Sequence, residues 1–173
     1  MRSFKALAAL MMASLLFLGP AAAQDGDGCS SFEWPMDNEM RLMRAPDAVS
    51  AKAGDALPAM PVVAVSLTLD PADAAKLIVT PSKRRSEDKV AFAGVITLPA
   101  PQKGAYQISL SGPGWIEVMQ AGETLKAVAH TSSKNCKELR KSVRFDLTDA
   151  PFTVQVTGAE QPALRMTITP AKP

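Results

Sequence analysis

The sequence contains few of the side chains that most catalytic and metal-binding sites need. His130 is its one histidine, and Cys29 and Cys136 are its only cysteines. A Ser-His-Asp triad would have to use His130, and a non-haem iron site, which usually takes two histidines and a carboxylate, would lack a ligand. We expect His130 to be a surface residue. No cofactor is predicted, and an enzyme is the least favoured class of function.

Aromatic residues and a strong charge of one sign are also missing. Phe, Trp and Tyr make up 5% of the chain, so aliphatic residues must form most of the core. The 19 Lys and Arg residues are nearly balanced by 17 Asp and Glu residues, which gives no overall field that would attract nucleic acid. The 14 prolines and 10 glycines supply many turns and leave little room for long helices.

The first 23 residues have the three parts of a secretory signal peptide. Arg2 and Lys5 precede an apolar run at 6–18, and small residues follow at 21–23. The apolar run is about 13 residues long, whereas a helix that crosses a bilayer needs roughly 20. Cleavage after this segment would release a chain without a transmembrane segment into the periplasm or the medium.

Cys29 and Cys136 are predicted to form a disulfide, because exported proteins fold in oxidising compartments. Attachment of a lipid to Cys29 is the alternative. The polar segment 24–28 separates Cys29 from the apolar run, and this spacing favours the disulfide.

The segment 32–44 is predicted to form one short helix that ends before Pro46. Met36, Met40 and Met43 are spaced so that they share one face of this helix. Such a face either packs on the body of the protein, where methionine is an adaptable filler, or binds a soft metal such as Cu(I) through its thioethers. Packing is favoured, and metal handling is the alternative function.

From residue 62 onward, apolar residues alternate with polar ones, which is the period of strands with one face in the core. The alternation predicts strands within 62–69, 90–98, 106–110, 143–147, 154–156 and 164–168, with weaker candidates at 76–80, 115–120 and 124–130. Strands with one solvated polar face are typical of antiparallel sheets. We expect an all-β fold, an antiparallel β-sandwich or jelly roll of about eight strands with one short N-terminal helix.

The chain is therefore predicted to have three parts. These are a signal peptide at 1–23, an N-terminal helix with an irregular connection at 24–61, and a β-sandwich domain at 62–173. A domain of this length can bury a core of its own.

The strongest local bias of charge is a run of basic residues around Cys136. It consists of Lys134, Lys137, Arg140, Lys141 and Arg144. Such a run is either a solvated loop or a site for a small anionic ligand or an acidic protein. Trp115, which follows a Gly-Pro-Gly turn, either packs near the core or stacks on the face of a sugar ligand. These six residues are the candidate ligand-binding residues.

A GAYQI strand at 104–108, a strand at 115–119 and the sequence LTDAPFTVQV at 147–156 precede a closing strand at 163–169. In this arrangement the stretch 104–170 resembles the bacterial pre-peptidase C-terminal type of domain, a small secreted β-sandwich. One departure is Pro151, where that family usually has glycine. The segment 29–39 is similar to small secreted proteins of proteobacteria. The resemblance implies a non-enzymatic binding or accessory module, and the predicted signal peptide indicates a periplasmic or secreted protein.

Overall fold

The computed structural model describes residues 28–81 and 91–172, so the predicted signal peptide at 1–23 lies outside the described residues. The described chain folds into two β-sheets with one short α-helix and a 3-10 turn, Cys29–Ser31. This arrangement confirms the predicted all-β sandwich. None of the helices in the described ranges is long and apolar enough to cross a membrane.

The described chain contains eleven strands in two sheets. The strands are β1 (Ala48–Lys52), β2 (Ala64–Thr68), β3 (Asp70–Pro71), β4 (Phe92–Leu98), β5 (Gly104–Leu110), β6 (Trp115–Gln120), β7 (Glu123–Thr124), β8 (Ala129–Ser132), β9 (Lys141–Leu147), β10 (Phe152–Ala159) and β11 (Ala163–Pro170). The first sheet has the order β1-β2-β11-β5-β9-β8, and the second has the order β3-β4-β10-β6-β7. Strands β1 and β2 are parallel, and the other neighbours are antiparallel.

The main core lies between the two sheets and is built from the apolar rows that the alternation predicts. Val143, Phe145 and Leu147 of β9 are buried there at every second position. The rows of the other long strands include Val65, Leu67, Ile96, Leu98, Ile108, Leu110, Val118, Val154, Val156, Met166 and Ile168. Burial of apolar surface contributes about 25 cal/mol per Å². This continuous cluster is therefore the principal source of folding free energy.

The polar face of the first sheet is covered by protein, which corrects the expectation of a solvated face. The helix α1 (Asp37–Arg44) packs on β11. The polar residues buried on this face are Gln107, Ser109, Thr131, Ser142, Thr167 and Thr169. Some of these side chains form hydrogen bonds with one another, since Ser109 Oγ donates to Ser142 Oγ at 2.9 Å.

The polar face of the second sheet is also covered near Gln155. The segment 76–80, a weak strand candidate, forms no strand. It lies against the sheet instead, where Ile78 N and Val79 N donate to Gln155 Oε1 at 2.9 and 3.2 Å. Gln155 Nε2 donates in return to Val79 O at 3.0 Å. This side-chain amide therefore replaces the backbone ladder that the prediction assumed.

The helix is shorter at its N-terminal end than the predicted segment 32–44. It begins at Asp37, after Pro35. A residue that precedes proline is disfavoured in the α region, so Pro35 keeps Trp34 out of the helix. At the other end Ala45 has an extended ψ of 140° before Pro46, so the helix ends where it was predicted to end.

Two further expectations about the connections are wrong. The segment 45–61, predicted as irregular, contains β1, whose residues Ala48 to Lys52 pair with Ala64 to Thr68 of β2. The weak candidate at 124–130 is divided between β7 and β8. The candidate at 115–120 is confirmed as β6.

A disulfide joins Cys29 to Cys136, as predicted, and links positions 107 residues apart. It belongs to a second apolar cluster outside the main core, with Met36, Met43 and Leu139. The cluster holds α1 and the loop 133–140 together. Arg165 on β11 adds to this docking, because its Nη2 donates to the carbonyl of Ala45, just after the helix, at 2.8 Å.

Candidate ligand-binding site

A pocket brings four of the six candidate ligand-binding residues together, near the place where β6 of the second sheet contacts β9 of the first. Its volume is about 410 Å³, which lies in the range of small-ligand sites. The lining residues are Pro113, Gly114, Trp115, Ser132, Ser133, Lys134, Arg140, Lys141 and Gly158. We name this cavity the Trp115 pocket.

The backbone of β10 makes room for the Trp115 ring. Thr157 pairs with Trp115, and the register of β10 against β4 shifts between Val156 and Ala159. Gly158, inside this irregularity, has a positive φ of 65°. A Cβ atom at Gly158 would lie 3.3 Å from Trp115 Cδ1, so glycine lets the ring lie close to the strand.

Lys141 lies over the indole ring. Its Nζ is 3.9 Å from the centroid of the Trp115 ring, within the range of a cation–π interaction. Lys141 is the first residue of β9, so two different sheets supply the two partners. Because the ammonium occupies one face of the ring, Trp115 positions a charge in the pocket, and this face is not available for stacking on a sugar.

Arg140 and Lys134 supply two further cationic side chains. Arg140 Nη1 donates to Ser133 O at 3.1 Å, which fixes the guanidinium against the loop. Lys134 is exposed at the edge of the cavity. Among the described residues that line the pocket there is no aspartate or glutamate. The lining is therefore electropositive.

The loop that carries these cations is anchored to the start of the described chain. Ser133 Oγ donates to Gly28 O at 2.7 Å and accepts the amide hydrogens of Asn135 and Cys136, each at 3.3 Å. The disulfide of Cys136 with Cys29 fixes the same loop. The cationic groups thus sit on a loop with several anchors, which lowers the entropy that binding would cost.

The other two residues of the basic run lie elsewhere. Lys137 is exposed and does not line the pocket. Arg144 is on the opposite face of β9, where its guanidinium carbon lies 4.2 Å from the centroid of the Trp34 ring. Its Nε donates to Gln107 Oε1 at 3.4 Å. The residues of the basic run, which are neighbours in the sequence, therefore lie in separate parts of the fold.

The three methionines share one environment, the apolar cluster around the disulfide. Met36 and Met43 are buried in this cluster, and the partly buried Met40 packs against it. Met36 and the partly buried Met40 line a second open cavity of about 450 Å³ together with Phe32 and Trp34. This arrangement fits the packing interpretation, and Cu(I) binding stays a prediction.

One group of side chains in the described ranges has the proximity of a metal site. It comprises Cys29, Cys136 and Glu138. Glu138 Oε2 lies 3.7 Å from Cys29 Sγ and 4.0 Å from Cys136 Sγ. Both sulfurs belong to the disulfide, so neither is the thiolate that metal coordination requires.

His130 and Glu117 differ in how well the sequence predicts their burial. His130 on β8 is exposed, as expected. Glu117 lies on the polar face of β6 and is nevertheless buried, with Oε2 accepting from Gln155 Nε2 at 2.7 Å. No sequence signal marks the segment that covers this face.

Comparison of the chain with known protein families, with curated protein sequences and with solved structures finds no match in any of the three.

Proposed function

We propose that this protein is an exported, non-enzymatic binding protein that holds a small anionic ligand in the Trp115 pocket. The observation that carries the proposal is the convergence of Lys134, Arg140 and Lys141 on one cavity of about 410 Å³. A single surface cation is ordinarily solvated, whereas three cations around one concave site favour an anion there. The disulfide supports export, because such bonds persist in oxidising compartments.

The lining favours a molecule that carries a carboxylate or a phosphate. Arg140 donates to Ser133 O through Nη1, and its other guanidinium donors make no hydrogen bond to the described residues. The planar donors of arginine match two oxygens of such an anion, and Lys141 adds a point charge beside them. The ligand is therefore recognised by its charge.

Binding without turnover is the role that fits the lining best. Ser132 and Ser133 supply hydroxyl groups, but the described lining includes no histidine, cysteine or carboxylate that would act as a general base. Ser133 Oγ already donates to Gly28 O. An accessory role of this kind is also what the resemblance to the pre-peptidase C-terminal type of domain implies. An acidic protein partner is the alternative ligand.

Isothermal titration calorimetry of the purified protein with citrate and with inorganic phosphate, at low ionic strength, tests the proposal. We expect Lys141→Gln and Arg140→Gln each to weaken citrate binding about tenfold, which is the loss of roughly one charged hydrogen bond. Lys137→Gln is the matched control, because Lys137 belongs to the same basic run but does not line the pocket. Failure of both anions to bind, or an equal loss in the control, would overturn the proposal.

A further inference from the structure

A smaller cavity of about 170 Å³ lies between the start of α1 and the outer face of the first sheet. Its lining residues are Pro35, Asp37, Asn38, Glu39, Gln107, Arg144 and Lys172. Arg144 is on the face of β9 opposite to the core residue Val143, so this cavity is separate from the Trp115 pocket.

Glu39 is the first unusual feature of this cavity. Glu39 is only 3% exposed. Its Oε1 accepts hydrogen bonds from Thr169 Oγ1 at 2.6 Å and from Asn38 Nδ2 at 3.4 Å. Among the described residues, no cation forms an ion pair with Glu39. Buried carboxylates are usually paired with a cation. The helix N-terminus favours an acidic residue in its first turn, but that preference is met equally well on the surface.

The wall of this cavity opposite Glu39 carries hydrogen-bond donors. Arg144 gives one hydrogen bond, from Nε to Gln107 Oε1, and forms no ion pair within the described chain. Gln107 is 3% exposed, and no residue of the described ranges accepts a hydrogen bond from its amide nitrogen. Lys172 adds a second cation to the lining.

The sheet holds the two walls apart. Thr169 of β11 pairs with Gln107 of β5, which pairs with Arg144 of β9. Thr169 and Arg144 are thus two strands apart, roughly 10 Å at the usual spacing of strands. Glu39, hydrogen-bonded to Thr169, therefore shares a cavity with Arg144 without contacting it.

We propose that this cavity binds a small zwitterion of the α-amino-acid type. The ammonium group of the ligand lies toward Glu39 and Asp37, and its carboxylate lies toward Arg144 and the amide nitrogen of Gln107. One ligand with a hydrogen bond at each end spans the gap between the walls and pairs with the buried carboxyl group of Glu39 and the half-buried guanidinium of Arg144. A volume of about 170 Å³ limits the ligand to a small side chain, since a cavity of about 150 Å³ holds benzene.

Titration of the purified protein with alanine, followed by calorimetry, tests this site. N-acetylalanine lacks the ammonium group and alanine amide lacks the carboxylate. We expect each to bind about tenfold or more weakly than alanine, because each loses one set of charged hydrogen bonds. Equal binding of either analogue, or no binding of alanine at millimolar concentration, would overturn the proposal.

Variants locate the site. We expect Glu39→Gln and Arg144→Gln to weaken alanine binding about tenfold, whereas Glu123→Gln at the exposed strand β7 leaves it unchanged. Asp37→Asn covers the case in which Glu39→Gln unfolds the protein, since Asp37 is exposed and its replacement does not disturb packing. The assignment of this cavity to alanine would be contradicted if Asp37→Asn bound alanine as tightly as the wild type and if Glu39→Gln or Arg144→Gln, when folded, did so too. Lys141→Gln separates this proposal from that for the Trp115 pocket, because it affects citrate and not alanine.

Discussion

Gln155 Nε2 donates a hydrogen bond to Glu117 Oε2 at 2.7 Å, between side chains that are both buried on the outer face of the second sheet. The same amide accepts from Ile78 N and Val79 N and donates to Val79 O. One side chain therefore joins two neighbouring strands to the segment that covers them. This arrangement explains why a fully buried polar residue is compatible with a stable sheet.

Replacement Gln155→Leu is expected to lower the free energy of unfolding by about 2–5 kcal/mol. Leucine has a similar size but removes four hydrogen bonds, those with Ile78 N, Val79 N, Val79 O and Glu117 Oε2, and a hydrogen bond contributes about 0.5–1.5 kcal/mol. Urea denaturation measures the change. Thr153→Ala, at a half-buried position on the same strand, is the control and should change the free energy by only about 0.5 kcal/mol. A Gln155→Leu protein as stable as the wild type would show that the amide network contributes nothing.

The sequence predicts the core of this fold well because the period of two in an apolar row determines which strand face is buried. Val143, Phe145 and Leu147 show this directly. The same period says nothing about what covers the other face, so the burial of Gln155 and Glu117 was missed. Their environment depends on a segment far away in the chain.

The candidate site was predicted only in part, for a related reason. Local charge identified Lys141 and Arg140, and the glycine-rich turn identified Trp115. Their convergence depends on β6 and β9 meeting from different sheets, which is a property of the strand order. Strand β1 was missed because the sequence AVSAK has little apolar alternation.

Loss of the disulfide is expected to destabilise the protein by about 2–5 kcal/mol. The bond closes a loop across 107 positions, and its removal frees the unfolded chain. The double variant Cys29→Ser/Cys136→Ser, which leaves no reactive thiol, is compared with wild type in denaturant titrations, with and without reductant. Reductant should destabilise the wild type and leave the double variant unchanged. Detection of two free thiols in the native protein by peptide mapping would contradict the assignment.

Arg165→Met is expected to loosen α1 from the first sheet and to lower the free energy of unfolding by about 1–3 kcal/mol. Arg165 Nη2 donates to the carbonyl oxygens of Ala45 and Asp47 at 2.8 and 3.1 Å, and methionine keeps much of the aliphatic stem while removing these bonds. Arg41→Met is the control, because Arg41 is exposed and bonds only Asn38 of its own helix. Hydrogen exchange of the α1 amides should become faster in the first variant alone. Equal exchange in both variants would rule out a docking role for Arg165.

Binding of citrate to the Trp115 pocket is expected to weaken as salt is added. The Debye length falls from about 10 Å at 0.1 M to about 3 Å at 1 M ionic strength, so salt screens the attraction of partly exposed cations. Calorimetric titrations at several sodium chloride concentrations measure the dependence. An affinity that does not change with salt would indicate that Lys134, Arg140 and Lys141 do not recognise the anion by charge.

Gly158→Ala is expected to damage both the stability and the Trp115 pocket. A left-handed conformation costs a residue with a Cβ atom about 1–2 kcal/mol, and the φ of 65° at Gly158 lies in this region. The new methyl group would also stand 3.3 Å from Trp115 Cδ1, so the ring must shift by a few tenths of an ångström beneath Lys141. We expect a loss of about 1–3 kcal/mol in the free energy of unfolding together with weaker citrate binding.

The matched control for this variant is Gly112→Ala, in the turn between β5 and β6. A Cβ atom at Gly112 meets no atom within 4 Å, so alanine fits there without contact. Thermal unfolding and citrate titration of both variants separate the two effects of Gly158→Ala. If stability falls while citrate affinity stays at the wild-type value, the position of the Trp115 ring does not control Lys141, and the aromatic residue has no part in anion binding. If both properties fall in Gly158→Ala and neither falls in Gly112→Ala, the close approach of β10 to the ring is what places the ammonium in the pocket.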